Sequence, residues 1–363
     1  MGKGKVDFAR RTLEAFDAKL VITRHELSPS QIFNLEKLLG TEVIDRTQLI
    51  LEIFAEHAAT KEGKLEVELA SLKYQLPRLK GLGKMLSQTG GGIGTRGPGE
   101  KKLEIDRRLA QRRIARLRKE IEDLERKREV SRKKRIDSSI PLVSFVGYTN
   151  AGKSSLVSIV SNEELLVEDK LFATLDTRIR KMRLPSGMSA LVSDTVGFIR
   201  ELPHHLMESF RTTLDEVKYS DLIVIVSDAS DMAIESKYSV VKATLERIEA
   251  SNIRTIHILN KIDKCTNERL NWLEGSFPDA LLVSAIGKYN IDGLLSGIER
   301  AIGADRIRRT LKFRPFELAS FMKYRDSLEI LSEKYGDDFV EIECISSEET
   351  FEKLISSICE EER

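Results

Sequence analysis

The sequence predicts an α/β protein, and three observations carry that reading. The glycine turn Gly147-Tyr148-Thr149-Asn150-Ala151-Gly152-Lys153-Ser154 follows the apolar run Leu142–Val146 and precedes a run of helical character, Ser155 to Val160. Further short apolar runs at 191–196, 224–226 and 255–259 read as buried strands. Upstream, two stripes of leucine and isoleucine recur at alternating spacings of four and three, the pattern of packed helices.

The glycine turn has the form G-x-x-x-x-G-K-S, a P-loop. Its glycines let the backbone turn so that successive N–H groups face phosphate oxygens. The helix that follows adds the positive end of its dipole. Lys153 is placed to reach the β and γ phosphates, and Ser154 to offer its hydroxyl to Mg²⁺. Strand character before the turn and helix character after it separate the motif from a chance glycine turn.

Three later elements select the nucleotide. The run Leu191 to Gly197 is a strand ending in Asp194-Thr195-Val196-Gly197, a D-x-x-G turn. There Asp194 would hold the Mg²⁺ shell and the Gly197 N–H would face the γ-phosphate. The strand at 255–259 ends in Asn260-Lys261-Ile262-Asp263. The Asp263 carboxylate can accept from both the N1–H and the amino group of guanine, a donor pair that adenine lacks. Val283-Ser284-Ala285 would put a backbone N–H on the guanine carbonyl. In this order the motifs predict a GTPase that binds GTP and GDP with Mg²⁺.

Bulk properties bound the rest. Charge is balanced, at net +1, and no run of eighteen apolar residues exists, so no transmembrane span is expected. The segment Met1 to Phe16 lacks the apolar core of a signal peptide. Cys265, Cys344 and Cys359 lack metal-ligand spacing and read as reduced structural thiols of a cytoplasmic protein. The balance hides one segment. Residues 101–135 hold sixteen Lys/Arg against seven Asp/Glu, a net of +9, so the remainder carries −8. On charge alone this is equally a solvated face or a surface for a phosphate-rich partner.

In chain order, Val6 to Phe16 reads as a helix and Lys19 to Thr23 as a strand. Ser28 and Pro29 are an N-cap and first helical residue, opening a helix to Leu39. Glu42 to Ile44 is a second strand, and Asp45 caps a long helix to Lys80, ~50 Å at 1.5 Å per residue. Leu65, Leu69, Leu72, Leu76 and Leu79 form one stripe; Ala110, Ile114, Leu117, Ile121 and Leu124 form the other. A connector that folds the chain back makes the helices antiparallel, pairing residues whose numbers sum to 189 or 190. Pro77 should kink the first helix one turn before its tip. The tip is the glycine-rich stretch 81–99. It reads either as a flexible linker or, given Arg96, Pro98 and Glu100, as a loop that presses its backbone on RNA. Arg112, Arg113 and Arg116 lie largely off the stripe, open to phosphate. After residue 303, Ile307 to Phe313 and Phe339 to Ile345 read as strands, and Phe316 to Tyr335 and Ser347 to Cys359 as helices, a small β-α-β-α domain.

These residues carry a resemblance. Gly94 to Glu100, Leu27 to Gln31, Asp45 to Thr47, Leu72 to Leu79, and Asp194 to Ile199 with Leu202-Pro203 resemble motifs of HflX-type GTPases, in the TRAFAC class and the Obg–HflX superfamily. The resemblance runs from about Gly4 to Ile302. It implies a P-loop GTPase domain at 140–303, preceded by a small α/β unit with an antiparallel coiled-coil arm and followed by a small α+β domain. The boundaries are 1–138, split into 1–45 and 46–138, then 140–303 and 305–363. It also implies a monomeric, ribosome-associated GTPase with no membrane partner. Its partner would be the large ribosomal subunit and its RNA, met through 81–135, with the loop near the peptidyl-transferase region. Some members split stalled ribosomes under stress. In Phe172-Ala173-Thr174-Leu175-Asp176, Thr174 is by position the switch threonine that would contact Mg²⁺. Family members usually have Pro where this chain has Thr177, and they usually begin with tens of residues more.

The site set is then Lys153, Thr174, Gly197 and Asn150 for catalysis, and Ser154, Thr174 and Asp194 for the metal. Where Ras-like GTPases carry a water-orienting glutamine after D-x-x-G, this chain has Phe198, so slow intrinsic turnover is expected. Asn150 matches the P-loop asparagine that coordinates K⁺ in some cation-activated GTPases; the plainer reading is that it shapes the loop. His204 and His205 read as surface or switch-packing residues. Two function classes stand. One is a GTPase whose nucleotide state gates ribosome binding. The other is a regulatory switch that binds a protein partner through the coiled coil.

Overall fold

The computed structural model describes residues 2–89, 98–137, 140–161, 178–195, 197, 216–303, 306–314, 317–336 and 338–361. The chain divides into two compact units, one built on Met1–Glu125 and the other on the bulk of the chain from Arg126 onward.

The first unit opens with helix α1 (Lys3–Phe16), strand β1 (Leu20–Thr23), helix α2 (Pro29–Leu39) and strand β2 (Glu42–Asp45). The strands pair in parallel, Leu20 opposite Glu42 through Thr23 opposite Asp45. α2 starts where the sequence requires. The Ser28 hydroxyl accepts from the Gln31 N–H, and the Gln31 side chain accepts in return from the Ser28 N–H. Val6, Leu39 and Val43 form the small core beneath.

The expected single helix from Asp45 to Lys80 is two: α3 (Arg46–His57) and α4 (Lys61–Thr89). Ala58 leaves the helical region, with ψ 101°. Thr60 then starts a new helix, its hydroxyl accepting from the Gly63 N–H at 3.0 Å. At its other end α4 continues to Thr89, so residues 81–89 of the expected loop are helical. Pro77 lies twelve residues before that end, not one turn. α5 begins at Pro98 and runs to Asp137. The remaining loop residues 90–97, including Arg96, lie outside the described residues.

The two stripes meet as expected. Leu65, Leu69, Ile114, Leu117 and Ile121 form one buried cluster, with Leu72, Leu76 and Leu124 packed against it. Their register differs from the expected one. Arg113 Nε and Nη2 donate to Glu68 Oε1 and Oε2 at 2.6 and 2.7 Å. Those residue numbers sum to 181. In the register of 189 or 190 the two would be offset by about 13 Å along the arm, further than an Arg–Glu pair reaches. The helices slide by several residues: a repeat of four and three permits several registers, and the Arg113–Glu68 pair marks the one adopted.

The second unit holds a six-stranded sheet, ordered β4-β5-β3-β6-β7-β8. Its strands are β3 (Leu142–Gly147), β4 (Arg178–Arg183), β5 (Ser189–Asp194), β6 (Leu222–Asp228), β7 (Thr255–Asn260) and β8 (Leu281–Leu282). All pairings are parallel except β4 with β5. β4 is carried by Arg-Ile-Arg-Lys-Met-Arg, a run whose four charges hide its strand character. Helices α6 (Lys153–Ser161), α7 (Ile234–Arg247), α8 (Asn267–Ser276) and α9 (Ile291–Gly303) join the strands. Phe145, Leu156, Val192, Val224, Ile258 and Leu294 centre the main core.

The C-terminal part is built on β9 (Arg306–Phe313), α10 (Leu318–Tyr324), β10 (Glu329–Tyr335), β11 (Val340–Ser347) and α11 (Glu348–Glu361). The helix expected over 316–335 stops at Tyr324, and its second half is strand β10. Antiparallel pairing with β11 overrides the local helical propensity. The result is a β-α-β-β-α domain with sheet order β10-β11-β9 and Cys344 buried in its core.

Candidate nucleotide site

The P-loop residues Gly147 to Ser154 form the turn from β3 into α6. Two close approaches explain why two positions hold glycine. A Cβ on Gly152, which has φ +89°, would stand 2.2 Å from Asn260 Nδ2. A Cβ on Gly197 would stand 2.7 Å from Thr149 Cγ2 and 3.1 Å from Lys153 Nζ. Gly197 therefore lies against the P-loop, beside the lysine.

Lys153 is buried, and its ammonium donates to the carbonyls of Gly147 and Tyr148 at 3.3 and 3.2 Å. Burial pulls its pKa down to about 8, against the opposing pull of Asp194. Asp194, at the end of β5, is 4% exposed. The Thr195 hydroxyl is spent on the Phe145 carbonyl at 2.7 Å, which fixes the turn to β3. Val196, Phe172 to Asp176 with Thr174, Thr177, Phe198, His204 and His205 lie outside the described residues.

The Asn260–Asp263 segment clamps the P-loop. Asn260 Nδ2 donates to the Ala151 carbonyl at 2.9 Å, and Asn260 Oδ1 accepts from the Ala285 N–H at 3.0 Å. The Lys261 ammonium donates to the Asn150 carbonyl at 2.5 Å. Ile262 N–H reaches the Val283 carbonyl at 3.4 Å. The Ser284 hydroxyl donates to Asp263 Oδ1 and accepts from the Gly287 N–H at 2.9 Å, which fixes the Asp263 carboxylate. The structure thus brings Val283, Ser284 and Ala285 to the same loop as Asn260 and Asp263. Asn150 holds a left-handed conformation at φ +61°, where asparagine is favoured among non-glycine residues.

Two polar groups, on β6 and β7, escaped sequence reasoning. Asp228, at the end of β6, pairs with Lys261; its signal is an acidic residue at the carboxyl edge of a buried parallel strand. His257 Nε2 meets the Ser227 hydroxyl at 2.9 Å and stacks on Tyr238, and burial pulls its pKa down to about 4.

Comparison with known proteins gives the family. Three family profiles match successive parts of the chain up to residue 261: GTP-binding GTPase N-terminal over residues 1–55, GTP-binding GTPase Middle Region over 57–135, and 50S ribosome-binding GTPase over 142–261. GTPase HflX of Caldanaerobacter subterraneus subsp. tengcongensis is 46% identical over 322 residues, 89% of this chain and 72% of that protein.

The chain belongs to the HflX family of GTPases.

GTPase HflX of Escherichia coli K12 is 40% identical, over 87% of this chain and 75% of its own length. The crystal structure of a GTP-binding protein from Sulfolobus solfataricus in complex with GDP is 27% identical, covering 83% of this chain and 85% of that one, with a TM-score of 0.47. As an HflX-family GTPase the chain binds GTP and GDP and hydrolyses GTP to GDP and phosphate. Among the described residues no helix is long and apolar enough to cross a membrane.

Proposed function

We propose that this HflX-family GTPase binds the large ribosomal subunit in its GTP state, through the basic face of α5 and the segment 90–97. The observation that carries this is the side-chain distribution on α5. Ile114, Leu117 and Ile121 face α4, while Arg107, Arg112, Arg116, Arg118 and Lys119 are exposed. The family description "50S ribosome-binding GTPase" for residues 142–261 points to the same partner. Binding by a nucleotide-gated basic arm is the step from which splitting or rescue of stalled ribosomes would follow.

In the G domain, the Gly147–Ser154 backbone and Lys153 would cradle the phosphates, and Asp263, held by Ser284, would read the guanine. Hard oxygen donors suit Mg²⁺, and a buried carboxylate, Asp194, on the strand beside a P-loop hydroxyl, Ser154, fits that ion. Thr174 would complete the protein ligands. Bound Mg²⁺ would neutralise charge on the β and γ phosphates. Phe198 cannot orient water, so turnover depends on another group, with K⁺ at Asn150 and the ribosome as the proposed sources.

Sedimentation with large subunits and a non-hydrolysable GTP analogue tests the proposal. Arg113 serves the arm itself through Glu68, so the informative variant reverses Arg112, Arg116 and Arg118 to Glu. Affinity should fall, and the slope of log K against log salt should flatten by roughly 2 to 3, about 0.9 per lost phosphate contact. Unchanged sedimentation and slope would favour a protein partner for the coiled coil.

A further inference from the structure

We propose that Asp228 is a positioning residue for nucleotide retention, holding the Lys261 ammonium against the P-loop carbonyl of Asn150. Asp228 ends β6 opposite Asn260 of β7. Its Oδ1 accepts from the Ser230 N–H at 3.0 Å and from the Ser230 hydroxyl at 2.6 Å. Its Oδ2 is thereby aimed at Lys261 Nζ, 2.9 Å away. The two side chains are only 21% and 12% exposed, so the ammonium needs a counter-charge where it sits.

The consequence falls on the P-loop. Two consecutive carbonyls are tied to the Asn260–Lys261 segment: Ala151 by the Asn260 amide and Asn150 by the Lys261 ammonium. The amide tie is neutral and self-sufficient. The ammonium tie depends on Asp228. Asn150 holds φ +61°, a left-handed conformation that asparagine tolerates and that the contact to its carbonyl keeps in place. A pocket of about 200 Å³ is lined by both Asn150 and Asp228. Lys237, which also lines that pocket, is committed to Asp231 and to the face of Tyr148, and does not replace Lys261. Without Asp228 the phosphate cradle loses its anchor at residue 150, and bound nucleotide escapes faster.

Stopped-flow release of a fluorescent GDP analogue from the full chain tests this. Asp228→Asn keeps the shape and removes the charge; release should accelerate about tenfold, the scale of one charged hydrogen bond. The steady-state kcat/KM for GTP should fall in parallel and kcat by less than about twofold, whereas a merely structural defect lowers kcat through loss of active protein. Lys261→Met should give the same acceleration, and the double variant should be no faster than either single one, because both break one linkage. Ser230→Ala keeps both charges and loosens Asp228; it should accelerate release to an intermediate extent, and it decides the matter if Asp228→Asn does not fold. Unchanged release in Asp228→Asn or Ser230→Ala, multiplicative effects in the double variant, or a kcat that falls as far as kcat/KM would each overturn the assignment.

Discussion

Arg78 Nη2 lies 2.7 Å from Asp45 Oδ2, thirty-three residues upstream, and its guanidinium stacks 3.7 Å above the ring of Tyr74. The Tyr74 hydroxyl donates to the other Asp45 oxygen at 2.5 Å, and the backbone N–H groups of Gln48 and Leu27 complete the set at 3.0 and 3.1 Å. Burial alone would raise the Asp45 pKa, but these donors hold it below the usual carboxylate range. Three segments that carry the family resemblance, around Leu27, Asp45 and Tyr74–Arg78, therefore converge on one buried carboxylate against the middle of α4.

Asp45→Asn should destabilise the first unit by about 3–5 kcal/mol, because it leaves the Arg78 charge without its partner. Tyr74→Phe should cost less, about 1–3 kcal/mol, by removing one donor. Urea unfolding read by circular dichroism measures both. Equal stability in Asp45→Asn would mean that the carboxylate does not hold the arm.

Guanine selection should rest on Asp263 and, one step removed, on Ser284. Asp263→Asn should shift preference from GTP toward xanthosine triphosphate, since its amide then faces a carbonyl in place of an amino group. Ser284→Ala should weaken GTP binding by about 1 kcal/mol without changing base preference, because Asp263 loses its fixed orientation. Competition binding with the two nucleotides checks this; a GTP-selective Asp263→Asn protein contradicts it.

For Asn150, turnover should be faster in K⁺ than in Na⁺ at fixed ionic strength. Asn150→Gly preserves the left-handed turn and removes the amide oxygen, so it should abolish the difference. Equal wild-type rates in the two salts would leave Asn150 with loop shaping alone.

His257 should make stability fall on mild acidification. Its folded pKa, about 4, lies below the unfolded value of 6.5, so the unfolded chain takes up the proton first. The stability it contributes is fully present above pH 6.5 and is lost as pH falls from there to about 4, by up to about 3 kcal/mol. His257→Gln should lose less stability than wild type between pH 7.5 and 4.5, as measured by thermal melting at each pH. Parallel losses would assign the acid sensitivity to other groups.

What the sequence determined by itself was local and periodic. The P-loop, Asp194 with Gly197, and Asn260–Asp263 are short motifs whose chemistry depends on neighbours in the chain, and the strand runs around them are apolar enough to declare themselves. The stripes from Leu65 and from Ala110 likewise announce two packed helices. Tertiary structure alone decided the rest, because each item depends on partners far apart in sequence. The register of α4 on α5, marked by the pair of Glu68 and Arg113, forty-five residues apart, was one of several that the stripes allow. The conversion of 329–335 from expected helix to strand β10 came from its pairing with β11. The buried role of Asp45 needed Arg78 and Tyr74, and the role of Asp228 needed Lys261. Periodicity specifies which face of an element is apolar; it does not specify which distant charge will neutralise a given carboxylate, and that choice is made only when the chain has folded.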